Sequence, residues 1–243
     1  MTDKDLKAIV LLSGGLDSTT ALALALSRER NCIAITFDYR QRNHRELESA
    51  KAICDHFGVQ QRVITLHPST FSGSSLSGTG QVPKDRSIHQ IYQKAIPSTY
   101  VPGRNTLFLA YAVGQAEIFD ADEIYFSVNA ADVGAYPDAR PAFLQTFADL
   151  MKVATKQAVE SKVPQLITPF IKMHKRDIIK QATALKAPLH LTLSCYDPSA
   201  TGVHCGRCDA CYLRKEGFMS AKQPDPTKYQ EQGLPLEAAE SSR

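Results

Sequence analysis

Short apolar runs alternate along the chain with stretches whose apolar residues recur every three or four positions. The runs at 8–12, 33–37, 62–66, 123–128 and 165–168 predict strands, and the stretches at 17–27, 45–57, 105–119, 141–159 and 175–185 predict helices. Leu47, Ala50, Cys54 and Phe57 fall at helical spacing, as do Phe143, Phe147, Leu150 and Ala154. Alternating strands and helices imply an α/β fold: a doubly wound, parallel, five-stranded sheet with right-handed crossovers. Ligands on such sheets bind beyond the carboxyl ends of the strands.

Residues 68–100 break this rhythm with Ser-, Gly- and Pro-rich sequence, expected to be a functional lid or a disordered insertion, with a helix around 88–95. Pro224, Pro226, Gly233 and Pro235 lie in a final stretch expected to fray. The expected organisation is an α/β nucleotide-binding domain over 1–188, a metal-binding module over 189–222 and a tail over 223–243. No internal repeat is present.

Composition narrows the class. With 43% hydrophobic and 22% charged residues, the chain matches a globular protein, and a net charge of +3 is too mild to argue for nucleic acid. No run approaches a membrane span and the N-terminus does not resemble a secretion signal, so a cytoplasmic protein is expected.

The first turn carries the clearest chemistry. Ser13-Gly14-Gly15-Leu16-Asp17-Ser18 joins the first strand to the first helix. Glycines let backbone N–H groups approach an anion, and the helix start adds its positive dipole end. The loop lacks the lysine of a G-x-x-x-x-G-K-[ST] sequence, and Asp17 suggests a Mg²⁺ partner beside a polyphosphate. An ordinary turn capped by Ser13 or Asp17 is the plain alternative. Farther on, Cys195, Cys205, Cys208 and Cys211 have the spacing of a tetrahedral zinc site, with an iron–sulfur cluster or a redox pair as the other readings. Cys32 and Cys54 read as core residues, and His190 and His204 as surface or outer groups around the metal.

Segments spread from residue 9 to 218 carry a resemblance. They are Ser13 to Thr20, Phe37-Asp38-Tyr39-x-Gln41-Arg42, Val101-Pro102-Gly103-Arg104-Asn105, Val128-Asn129-Ala130-x-Asp132, Tyr136-Pro137-Asp138-x-Arg140-Pro141, Thr168-Pro169-Phe170 and the late cysteines through Gly217-Phe218. The chain resembles the 7-cyano-7-deazaguanine (preQ0) synthase family of queuosine biosynthesis, within the PP-loop ATP pyrophosphatase superfamily. The family usually has Gly at Arg40 and His at Asn43. It reads D-Y-S-G-Y-P-D-C-R where this chain reads Asp132-Val133-Gly134-Ala135-Tyr136-Pro137-Asp138-Ala139-Arg140.

What the resemblance implies is a ligase that uses ATP and ammonia to turn the carboxylate of 7-carboxy-7-deazaguanine into a nitrile, by adenylating first the acid and then the amide. It implies an ATP segment of Leu12, Ser13, Gly14, Gly15, Leu16, Asp17, Ser18, Thr19, Thr20, Ala21 and Leu22, with Mg²⁺ accompanying the nucleotide. Asp17, Ser18 and Lys175 would serve the chemistry, Lys175 reaching the phosphates or else simply starting a solvated helix. Arg104, Asn105, Asp132, Tyr136, Asp138 and Arg140 would bind the base, although Arg104 and Asn105 also suit turn and cap duties and Asp138 and Arg140 a local ion pair. Asp38, Tyr39, Gln41 and Arg42 are expected in a cavity wall without individual roles. One zinc per chain on Cys195, Cys205, Cys208 and Cys211, and a homodimer, complete the expectation. No glutaminase segment is evident, so free ammonium is the simplest nitrogen source. Two other readings compete: a related enzyme that adenylates a tRNA base, and a non-catalytic zinc module that binds nucleic acid or a partner protein.

Overall fold

Four of the five residues of β1 (Lys7–Leu11) are buried, the signature of a central strand covered on both faces. The computed structural model describes residues 6–77, 80–92, 96–231, 233 and 235–236. β1 pairs in parallel with β2 (Asn31–Asp38) on one side and β4 (Glu123–Tyr125) on the other. β3 (Gln60–Thr65) and β5 (Gln165–Ile167) form the edges, giving the order β3-β2-β1-β4-β5. The chain winds outward from β1 to β3 and then crosses to β4. The order therefore reverses beside β1, and a crevice opens at the carboxyl ends of β1 and β4.

Alternation along β1 sends side chains into two cores. Ile9 and Leu11 join Ile35, Phe37, Leu109, Phe126, Phe147 and Met151 on one face. Ala8, Val10 and Leu12 join Leu22, Ala34, Ile53 and Tyr125 on the other. The covering helices include α1 (Leu16–Ser27), α2 (Glu46–Phe57), α4 (Arg104–Phe119) and α6 (Pro141–Ala154), with a short α3 (Ile88–Ile91) between α2 and α4. Farther on come α5 (Ala130–Ala135), α7 (Lys156–Val159), α8 (Lys175–Ala184) and α9 (Asp209–Ala221). Cys32 and Cys54 are buried in the second core, and burial pushes their thiols up to about 12 and about 11. None of the described helices is long and apolar enough to cross a membrane.

Five expected strands and the first two helices lie where the pattern puts them, within two residues at most ends. The helix expected over 141–159 is instead two. Thr155 leaves helical geometry, and its hydroxyl caps α7 by accepting the Ala158 N–H at 3.1 Å. Its inward stripe is Leu144, Phe147 and Met151, while Leu150 and Ala154 face outward. The helix expected over 88–95 is a four-residue turn capped by Ser87 and Gln90, and residues 93–95 lie outside the described residues. The strand expected over 123–128 ends at Tyr125, because the chain turns there into the cavity floor.

Two irregular stretches are better anchored than their sequences suggest. In the 68–100 segment, Val82 packs with the cysteines, Lys84 bridges to Cys208 and the Asp85 N–H reaches the Arg207 carbonyl at 2.9 Å. Residues 223–231, in the stretch expected to fray, are docked. Asp225 pairs with the buried Arg214 at 3.2 Å, and Gln230 N–H reaches the His204 carbonyl at 2.8 Å. Residues 237–243 lie outside the described residues.

Candidate active site

The turn after β1 owes its shape to Gly14. Its φ of +85° is glycine's territory, and a Cβ there would meet the Ala50 nitrogen at 2.9 Å and the Glu46 carbonyl closer still. The loop is then tied internally. Ser13 N–H donates to Ser18 Oγ at 3.2 Å, Gly15 N–H to Ser13 Oγ at 3.3 Å, and Ser18 Oγ to the Gly15 carbonyl at 3.1 Å. The Gly14 carbonyl accepts Leu193 N–H at 2.9 Å, and Leu16 N–H donates to Ser194 Oγ at 3.4 Å. The turn thus points the start of α1 at the crevice and holds it there from the far side.

At the mouth of the loop, the Asp17 carboxylate receives Lys175 Nζ at 2.7 and 2.8 Å and Asn129 Nδ2 at 2.7 Å. Lys175 is the first residue of α8, and its stem passes over Gly217 of α9. A Cβ at Gly217 would lie 2.6 Å from Lys175 Cγ. This ion pair is a balanced charge couple at the cavity's edge.

A cavity of ≈ 310 Å³ extends from the loop across the carboxyl ends of β1, β2 and β4. Its apolar floor is Leu11, Ile35, Phe37, Phe108 and Phe126, a surface suited to a flat ring. Phe37 and Phe108 stack with centroids 3.9 Å apart, and Tyr39 leans on Phe108. Polar groups ring this floor: Arg104 and Asn105 from α4, Asp132 from α5, Glu46 from α2, and Tyr136 and Tyr196. Asn129 caps α5 through Ala131 N–H at 2.8 Å, and Asp132 returns the favour by accepting Asn129 N–H at 3.0 Å. Burial, reinforced by the Asp17 charge, lifts the Asp132 carboxyl to about 6. Burial likewise lifts Glu46 to about 7, against the hydrogen bond from Gln41 and the charge of Arg104.

Of the residues expected at an ATP segment, Leu12, Ser13, Gly15, Leu16, Asp17 and Ser18 line the cavity. Gly14 shapes the turn from behind. Thr19, Thr20, Ala21 and Leu22 are buried in α1, where the two threonine hydroxyls bond to the carbonyls of Gly15 and Leu16. Lys175 lines the cavity, as do Arg104, Asn105, Asp132 and Tyr136. Asp138 and Arg140 do not. Asp138 is buried beneath α4, where its carboxylate accepts the Asn105 N–H at 3.2 Å and its carbonyl accepts Asn105 Nδ2 at 3.2 Å. Arg140 is exposed at the start of α6. The local ion pair considered for these two is not among the described contacts, because the 3₁₀ turn over Pro137–Ala139 directs them apart.

Sequence reasoning passed over Glu46, Ser194, Tyr196 and the aromatic Phe108. Glu46 reads as an ordinary acid in a helix's first turn, and only the closure of α2 onto Gly14 turns it inward. Tyr39 and Gln41 do sit in the wall, whereas Arg42 points out to pair with Asp197 at 3.4 Å.

The four late cysteines are all buried, and their sulfurs lie within 4.8 Å of one another. The Cys195–Cys208 and Cys205–Cys211 sulfurs are 3.9 Å apart, far beyond a disulfide bond. A tetrahedron of thiolates at ~2.3 Å from one zinc has edges of about 3.8 Å, so the group fits a single ion. Backbone N–H groups of Asp197, Cys205, Arg207 and Cys208 point at the sulfurs from 3.2 to 3.4 Å, as they do around thiolates. Hydrogen bonds from Cys195 and the other two thiols hold Cys205 well below the ordinary thiol range. His204 is buried nearby, yet it stays outside the ligand group: its Nε2 accepts Ser194 N–H at 3.2 Å. His190 is exposed.

A phosphate-type loop at the first crossover of a parallel sheet, opening on an aromatic-floored cavity, defines a nucleotide-binding α/β protein. Its sequence relationships are more specific. The chain belongs to the family described as Queuosine biosynthesis protein QueC, whose model matches residues 7–222. It is 45% identical to a 7-cyano-7-deazaguanine synthase of Desulfatibacillum aliphaticivorans over 92% of this chain and 96% of that one. The synthase of Acinetobacter baylyi is also 45% identical, over 92% and 95%. Among solved structures, NMN synthetase from Francisella tularensis superposes with a TM-score of 0.47 at 13% identity, covering 90% of this chain and 78% of that one.

Proposed function

We infer that the chain is an ATP-dependent ligase that converts 7-carboxy-7-deazaguanine and ammonia to 7-cyano-7-deazaguanine. The observation that carries this reading is the Asp17–Lys175 couple at the phosphate loop, facing a flat aromatic floor ringed by Arg104 and Asp132. Family membership supplies the substrate class.

Neither oxygen of a carboxylate leaves unaided at neutral pH, so each must first be made part of a phosphate ester. Arg104 would hold the acid by its carboxylate. One acid oxygen attacks the α-phosphorus, and pyrophosphate departs into the N–H groups at the start of α1 and the ammonium of Lys175. Asp17 is the carboxylate that would hold a magnesium ion accompanying ATP, which would supply neutralisation of charge on the departing group. Ammonia then forms the C–N bond and AMP leaves with the electrons of the C–O bond. In the second round the amide oxygen attacks the α-phosphorus of a second ATP, pyrophosphate departs and one N–H proton is lost, and elimination of AMP with the last N–H proton gives the nitrile. No protein nucleophile is required, so positioning and charge stabilisation dominate. Asp132 would receive the amino edge of the base.

Zinc on Cys195, Cys205, Cys208 and Cys211 would cross-link the C-terminal module over residues 189–222 within itself, beside the α/β domain of 1–188, with no open position for a reacting water. The same reading takes the protein to be cytoplasmic, homodimeric and active on free small molecules rather than on tRNA.

Exchange of labelled pyrophosphate into ATP tests the first half-reaction. Exchange that requires the carboxylated base, with the nitrile detected by mass spectrometry once ammonium is added, supports the ligase. Exchange that requires tRNA, or none under any condition, overturns it.

A further inference from the structure

The loop between β2 and α2 lines the cavity beside the phosphate loop with hydrogen-bond acceptors that adenylation does not use. Asn43 is only 7% exposed. Its Nδ2 donates to the Cys195 carbonyl at 2.8 Å. A carbonyl can only accept, so this contact fixes the amide's orientation and leaves Asn43 Oδ1 without a partner. An unsatisfied buried acceptor costs about 1–3 kcal/mol, and in a folded protein it calls for an explanation. One turn later comes Glu46, whose backbone N–H closes on the Asn43 carbonyl at 3.3 Å. One carboxyl oxygen of Glu46 accepts Gln41 Nε2 at 2.7 Å. Gln41 is itself fixed by the Phe37 carbonyl at 3.2 Å and the Tyr39 N–H at 3.1 Å. The other Glu46 oxygen accepts no hydrogen bond among the described residues.

Position decides what these acceptors are for. The backbone of Glu46 presses on Gly14, and its carboxyl feels the charge of Arg104. It therefore stands between the phosphate loop and the arginine, where the ligase reading would put the acyl carbon of an adenylated acid. A small cation bearing N–H donors would satisfy the orphan amide oxygen and the free carboxyl oxygen together.

We propose that Asn43 and Glu46 form the subsite for the nitrogen donor, binding it as ammonium beside the acyl carbon. This rests on the ligase reading above. Ammonium gives one proton to the Glu46 carboxylate, and the freed lone pair forms the C–N bond. The C–O bond to AMP breaks with its electrons on the phosphate, and the second proton passes from the new amide to water. Burial has already raised Glu46 toward neutrality, which suits a group that must accept and then release a proton.

The test varies ammonium, the acid and ATP separately. Glu46→Gln should raise the ammonium KM by about tenfold or more, the worth of one charge-assisted hydrogen bond. Acid-dependent pyrophosphate exchange, which needs no ammonia, should fall far less than ammonium-dependent turnover, and an unchanged thermal midpoint shows that the variant folds. Asn43→Ala carries the same expectation at about threefold. In the unaltered enzyme, rubidium, matched to ammonium in size and charge, should raise the ammonium KM and leave those of acid and ATP alone. A rise confined to the acid KM in Glu46→Gln assigns the carboxyl to the base and overturns the subsite, as does indifference to a hundredfold excess of rubidium. Absence of exchange in the wild type overturns the ligase reading instead.

Discussion

The phosphate loop and the cysteine knuckle reach their shapes by opposite means. The loop is held by the chain itself: a left-handed Gly14, a ring of serine hydrogen bonds and a central strand behind it. The knuckle gathers four buried sulfurs that have little reason to stay together unless an ion neutralises and links them. Between them runs a strap at residues 192–195. Leu193 bonds to Gly14, Ser194 to Leu16, and Cys195 is a knuckle sulfur whose carbonyl holds Asn43. Arg214 of α9, 1% exposed, ties the strap down through Thr192 Oγ1 at 2.8 Å and the Leu189 carbonyl at 3.2 Å. The self-supporting element is thus backed by one whose four sulfurs are grouped to fit a single metal ion.

Metal removal is the strongest way to break this contrast. Cys208→Ala should release the ion and lower stability by several kcal/mol, since binding energy at such sites is folding energy. Elemental analysis and thermal unfolding check it, and unchanged metal content rules out the four ligands. Removing the loop's charge should do the reverse. Asp17→Asn is expected to cut turnover by about 10²–10³ while the melting temperature stays close to wild type, because the loop's shape does not depend on that carboxylate. A fully active, Mg²⁺-dependent variant contradicts the role given to Asp17.

A smaller effect is expected at the helix contact between the two regions. Gly217→Ala places a methyl group against the Lys175 stem and Ile179, where contacts would be 2.6 and 2.9 Å. Overpacking of this kind costs about 1–3 kcal/mol. The lysine must shift off Asp17, so exchange should fall by about tenfold with metal content unchanged. Wild-type exchange in this variant would show that Lys175 finds its partner by another path.

The same contrast explains what was legible in the sequence. Strand, turn and helix around Ser13–Ser18 are local, and each residue's preference agrees with its neighbours', so the element can be read directly. The cysteine spacing was equally open, because ligand geometry constrains it. The helix α9 was not, since its buried face includes Arg214 and Glu216, polar residues that erase the apolar period. α5 was hidden by its shortness, being a six-residue helix set by the Asn129–Asp132 cap rather than by a stripe. Asp138 looked like a binding residue because acid type is visible in sequence and orientation is not. Its carboxylate serves the start of α4. The docking of 223–231 depends on Asp225 meeting an arginine buried by other segments, a contact no local pattern announces.

The smallest predicted effect separates a functional carboxylate from a structural one. Asp132 keeps its proton up to about pH 6 in the folded protein, whereas an ordinary aspartate releases it near 3.8. Between those values the folded state binds more protons than the unfolded state, so stability falls as pH rises through this window and stays lower above it. Asp132→Asn removes the ionisation, and its amide oxygen can still accept the Asn129 N–H that closes the cap. The variant should therefore match wild type near pH 4 and exceed it at pH 8 by on the order of 1 kcal/mol, a figure discounted for partial solvent access. Glu46 titrates in a neighbouring range, so the quantity to compare is the difference between variant and wild type at each pH, which cancels its contribution. A variant that is more stable at pH 8 and slower in acid-dependent exchange marks Asp132 as a charge kept for the ligand at the expense of the fold. A variant less stable at both pH values would mean that the cap needs the carboxylate itself, and Asp132 would then belong with Asp138 as a support of the cavity rather than a reader of its contents.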